Sequence, residues 1–102
     1  MWIREVEKEL NTVYGGAKAK QVSAVLMPAF IGDFKKMLSQ SEDNTEVTEE
    51  YRTEDRLVYI KLTGKKIRIK GSEKHMLTGV SVNGQSIPIE VYINGQSMEE
   101  LP

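Results

Sequence analysis

Apolar residues recur at intervals of three and four through the first part of the chain. Trp2, Ile3, Val6, Leu10, Val13 and Tyr14 share one side, so residues 2–14 read as an amphipathic helix. Gly15-Gly16 ends it, and a second helical stretch runs from Ala17 to about Gln40. Its first half sets Val22, Val25, Leu26 and Ala29 on one face. Its second half sets Met27, Phe30, Phe34, Met37 and Leu38 on a face turned by about 120°, at roughly 100° per residue. Pro28 stands at the changeover, and a proline inside a helix removes a donor and kinks it. The pattern predicts a second helix broken or kinked near Pro28. Ser39 to Thr45, "SQSEDNT", is a polar break.

From there the period drops to two. "TEVTEEYRT", "RLVYIKLT", "KIRIK", "MLTGVSV" and "SIPIEVYI" all read as strands. A two-residue turn at Gly64-Lys65 would set Leu62 opposite Ile67 and Ile60 opposite Ile69, leaving Tyr59, Lys61, Arg68 and Lys70 on the other face. A type I′ turn at Asn83-Gly84 would set Val80 opposite Ile87, Thr78 opposite Ile89 and Met76 opposite Val91. A tight turn near Glu54-Asp55 would pair the first strand with the second. It places Val47 and Tyr51 with Val58 and Ile60, and Glu50 near Lys61. The expected architecture is α+β: N-terminal helices over residues 1–40 packed on a five-stranded antiparallel meander over 45–95. The sheet is either open or curled into a barrel, and residues 97–102 form a short tail.

The tetrapeptide Asn-Gly-Gln-Ser occurs twice, at 83–86 and 94–97. Asn and Gly both tolerate positive φ, so the repeat reads as turn punctuation. The first copy turns a hairpin. The second ends the last strand, and Ser97-Met98-Glu99-Glu100 matches a capping box that would start a helical turn.

Composition adds bounds. A chain of 102 residues makes one domain with a single core. The absence of cysteine excludes a disulfide framework and thiolate metal sites, which fits a reducing, cytoplasmic setting. No apolar run is long enough to span a membrane. Net charge is −1, yet the charge is segregated: residues 41–55 hold seven acidic groups and one basic, and residues 56–75 hold seven basic and one acidic.

Candidate chemistry is sparse. His75 is the only histidine, and Ser72 and Glu73 beside it read as a polar loop rather than a triad, which is defined by geometry. The acidic run from Asp43 to Glu54 fails as a calcium loop because Val47 takes a ligand position and Thr48 the glycine position. "TGKK" at 63–66 lacks the upstream glycine of a phosphate loop. No catalytic residue, metal site or cofactor is expected.

Two surfaces remain. Met27, Phe30, Ile31, Phe34, Met37 and Leu38 exceed what one narrow helical stripe needs, with Trp2 and Met1 beside them. They predict a contact face for a protein partner or a second copy of the chain. Tyr59, Lys61, Lys66, Arg68 and Lys70 would form a basic sheet face able to hold phosphates and stack a base. The expected function is a non-enzymatic interaction or assembly module that self-associates through its apolar helical face. The alternative is a nucleic-acid-binding accessory protein.

Overall fold

A computed structural model describes residues 2–102; Met1, placed beside the apolar face by the sequence, lies outside the described residues. Two helices pack on one face of an antiparallel sheet, the expected α+β arrangement. Helix α1 spans Trp2–Tyr14 and α2 spans Gly16–Ser39. Gly15, at φ 81°, makes the corner between them, a conformation glycine adopts freely. Among the described residues no helix is long and apolar enough to cross a membrane.

Helix α2 runs without interruption through Pro28, so of the break or kink expected there the break is absent. The expected division into two apolar faces also fails. One buried stripe runs Ala19, Ser23, Met27, Ile31, Phe34, Leu38, at steps of three and four. Its first two members are small or polar, so the apolar pattern alone concealed them. Val25 and Ala29, placed on the first face, are exposed.

Strands β1 (Val47–Arg52), β2 (Tyr59–Ile69), β3 (Ser72–Val82) and β4 (Gln85–Ser86) follow one another across the sheet. Tyr51 opposes Ile60 and Glu50 opposes Lys61, as the first turn required. The Asn83-Gly84 turn also forms, with φ of 51° and 82°. Its backbone bonding ends where the Ile87 amide donates to the Val80 carbonyl at 2.9 Å, the expected pairing, and Ile89 and Val91 leave the sheet. A small hairpin of β5 (Tyr92–Ile93) and β6 (Gln96–Ser97) follows, and β7 (Glu99–Glu100) then returns to pair with Met76 and Leu77. Met98 and Leu101 bury themselves on this return whereas Val91 stays exposed, so the later segment wins the edge of β3. The sheet remains open, with β1 at its far edge.

At three places the local structure departs from the pattern. Gly64-Lys65 is not a turn; β2 continues to Ile69, and the reversal falls at Lys70-Gly71, with φ of 54° and 81°. The second Asn-Gly does more than end a strand: Asn94-Gly95, with φ of 52° and 77°, turns the β5–β6 hairpin. Ser97 starts no helix, because its hydroxyl donates across that hairpin to the Ile89 carbonyl.

The continuity of β2 decides which side chains face the helices. Successive residues alternate between faces, so Gly64, Lys66 and Arg68 share the side of buried Ile60 and Leu62. Lys65, Ile67 and Ile69 take the other. The register shifts where Thr63 pairs with Gly79 but Gly64 with Leu77, leaving Thr78 as an extra residue in β3. The main core lies between helices and sheet, built from Trp2, Val6 and Leu10 of α1, the α2 stripe, and Ile60, Leu62, Leu77, Val80 and Val82. On the opposite face, Ile67, Ile69, Ile93 and Met98 border a cavity of about 190 Å³ under the β5–β6 hairpin.

Candidate functional site

The expected contact face is mostly consumed by the fold. Met27, Ile31, Phe34 and Leu38 are buried in the core. Phe30 is half-buried and stacks on Tyr51 with ring centroids 4.9 Å apart. Met37 is half-buried. A sheet covered by only two helices uses nearly every large apolar group of α2.

The expected basic face does not assemble either. Lys61 lies exposed on the outer face of β2, and Lys66 is only 8 % exposed on the helix side. The Lys66 ammonium donates to the Ser39 carbonyl at the end of α2, 3.3 Å away, and lies 3.5 Å from Asp43. A cation there complements the negative end of the helix dipole. Arg68 donates through Nε to Asp43 at 2.8 Å and approaches Glu73 at 3.7 Å. Tyr59 lies under the Arg52 guanidinium at 5.2 Å, and Lys70 occupies the hairpin turn. The uninterrupted β2 explains the failure, because it puts Lys61 and Lys66 on opposite sides of the sheet.

His75 closes this charged end. Its Nε2 is 2.7 Å from Glu73 Oε2, and Ser72 makes no hydrogen bond to it. The Arg68 hydrogen bond holds the Asp43 carboxyl below its usual range. These groups pair with one another, and the row Asp43, Arg68, Glu73, His75 ties the α2–β1 loop to the β2–β3 hairpin. No group of three metal-ligating side chains occurs among the described residues.

A second polar cluster stands at the corner between the helices. The Tyr14 hydroxyl donates to Asp55 at 2.8 Å, and Thr53 donates to the same carboxylate at 2.6 Å. Asp55 also accepts the Leu57 amide at 3.0 Å. The Thr53 bond, with the Leu57 amide and Tyr14, lowers the carboxyl's pKa, while burial raises the phenol's. A phenol held in its neutral form and committed to a carboxylate is a brace. It offers neither a nucleophile nor a base.

The feature with room for a partner is a groove of about 500 Å³ where α1 begins and α2 continues past it. Ile3, Ala24, Met27, Pro28, Ile31 and Gly32 supply its walls, and Lys35 stands in its lining. Two of the residues expected to bind a partner, Met27 and Ile31, therefore border it. Pro28 matters in an unexpected way. Its ring lacks an N–H, so the Ala24 carbonyl has no donor four residues on. Ser23, 6 % exposed, also borders the groove. At Gly32 a Cβ would meet nothing within 4 Å. The i, i+4, i+8 spacing of Ala24, Pro28 and Gly32 was readable in the sequence as a strip of small residues. The notch at the start of α1 was not.

Comparison with protein-family models, curated proteins and solved structures found no match to this chain.

Proposed function

We propose that the chain is a non-enzymatic protein-binding module that takes an apolar anchor of a partner segment into the groove beside Pro28. The groove itself carries the reading. Its volume of about 500 Å³ falls within the usual range for binding clefts, roughly 300–1,000 Å³. Its lining is almost wholly apolar among the described residues; Lys35 and Pro102 close one side, the Lys35 ammonium donating to the Pro102 carbonyl at 3.1 Å. Such a site suits binding better than bond-breaking.

Charge indicates the partner's flanks. Helix α2 presents Lys18, Lys20 and Lys36, and Lys35 held to the Pro102 carbonyl, against one acid, Asp33, which accepts the Tyr51 hydroxyl at 2.7 Å. Acidic residues beside the anchor complement that surface. Two copies packed antiparallel through the Ala24, Pro28, Gly32 strip would bring Lys20 of one toward Lys36 of the other. A different protein therefore fits better than a symmetric pair. Tyr59, Lys61, Lys66, Arg68 and Lys70 do not share a face, which speaks against nucleic-acid binding.

An NMR titration with a helical leucine- and glutamate-bearing peptide tests this. Saturable shifts at Ile3, Ala24, Ile31 and Gly32 are expected, and Gly32→Leu, which fills the groove, should abolish them without loss of stability. No saturable response, or an unchanged response in the filled variant, rejects the reading. Light scattering over a concentration series adds a check: self-association lost in Gly32→Leu would instead assign the groove to a second copy.

A further inference from the structure

The two edges of the sheet differ. The far side of β3 is taken by β4 and β7. At the opposite edge β1 bonds to β2 on one side, and among the described residues no strand lies on the other. The Thr53 amide donates to the Val58 carbonyl at 3.0 Å, which marks 53 and 58 as a hydrogen-bonded pair. Such pairs alternate along an antiparallel ladder. By the observed register, Tyr51 with Ile60, Glu49 with Leu62 and Val47 with Gly64 then carry the bonds to β2. The N–H and C=O groups of Thr48, Glu50 and Arg52 point outward, and no turn or loop bond engages them among the described residues.

Nothing in the backbone blunts this edge. It contains no proline or bulge, and the obstacles it does carry are charges: Glu49 on the side of Leu62, and Glu50 and Arg52 on the outer side. Its distinguishing property is charge. Glu46, Glu49, Glu50 and Glu54, on the strand or flanking it, have no cation within ion-pair distance among the described residues. Asp43 and Asp55, just outside, are already committed to Arg68 and Tyr14.

We propose that the outer edge of β1 is a docking site for an extended, basic segment of another protein, which adds to the sheet as a further strand. Backbone bonds to Thr48, Glu50 and Arg52 hold the segment, and lysine or arginine at alternate positions lies beside Glu50 on one face or Glu49 on the other. A second copy of this chain is the poorer occupant. Two-fold antiparallel pairing centred on Thr48 sets Glu46 against Glu50 of the other copy. Centring on Glu49 or Glu50 sets that residue against itself, and centring on Tyr51, which sets Glu50 against Arg52, still brings together two segments that each carry four acids and one base over residues 46–54. Like charges directly opposite one another oppose pairing. This site is separate from the helical groove and does not depend on it.

The test follows amide hydrogen exchange in the full chain while a short peptide of alternating lysine and valine is added at low salt. The amides of Thr48, Glu50 and Arg52 should slow by about tenfold or more at saturation. Those of Glu49 and Tyr51, already bonded to β2, should barely change. A matching glutamate–valine peptide should give no slowing, and the double variant Glu49→Lys, Glu50→Lys should reverse the preference. Glu50→Gln, which keeps the shape, should weaken the basic peptide by about threefold, a measure that survives if the double variant fails to fold. Binding without slowing of the three outward amides, equal slowing by both peptides, or no effect of Glu50→Gln each overturns the proposal.

Discussion

Gly64 shows how much one missing side chain can decide. A Cβ there would lie 2.3 Å from the Met76 carbonyl oxygen and 3.0 Å from Phe34 Cε2. Glycine is therefore required by close packing of Phe34, itself fully buried, against the β2–β3 ladder. Gly32 has the opposite surroundings, with nothing near its missing Cβ in the middle of a helix. Alanine at the two positions should act in opposite directions. Gly64→Ala is expected to cost about 2–3 kcal/mol, because backbone must move to admit the methyl group. Gly32→Ala is expected to gain about 0.5–1 kcal/mol from helix propensity. Urea unfolding of both variants checks the pair. Equal effects would mean that the tight approach at Gly64 is wrong.

At the scale of elements, three hairpins share one turn geometry but not one sequence. Asn-Gly serves at 83–84 and 94–95, whereas Lys70 takes the first place at 70–71 with φ 54°. Asparagine visits the left-handed region more readily than lysine. Lys70→Asn should accordingly stabilise the protein by about 0.5–1 kcal/mol, seen as a raised thermal midpoint with an unchanged fold. The same comparison explains what was legible beforehand. Helix α1, the β1–β2 register and the Asn83-Gly84 turn follow from periodicity and turn chemistry acting locally. The Lys70-Gly71 turn was hidden because its first residue carries no turn signal, while Gly64 offered a false one. That single displacement moved Ile67 and Ile69 to the outer face and drew Lys66 beneath α2, which dissolved the basic face. The groove depends on where α1 starts relative to α2, and no local pattern encodes that offset. The free edge of β1 was implicit in the expected strand order. Its outward residues became identifiable only once the ladder's bonding phase was known.

For the molecule as a whole, the helical layer and the sheet are fastened at three places. Tyr14 reaches Asp55 at the helix corner, Phe30 and Asp33 hold Tyr51 at mid-length, and Lys66 reaches Ser39 at the far end. Stacking of the Phe30–Tyr51 kind contributes about 0.5–1.5 kcal/mol beyond area burial. Burial, reinforced by the Asp33 carboxylate, pushes the Tyr51 phenol above its usual pKa. Within the main sheet, successive neighbours also follow one another in the chain, with one exception: β7 passes over the β5–β6 hairpin to reach β3. That exception predicts an order of assembly. Met76 and Leu77 are also paired with β2, and β7 is expected to close after that ladder, behind the rate-limiting barrier. Leu101→Ala should then quicken unfolding by about tenfold or more while leaving the refolding arm of a stopped-flow chevron within about twofold. Slowed refolding would place that closure before the barrier instead.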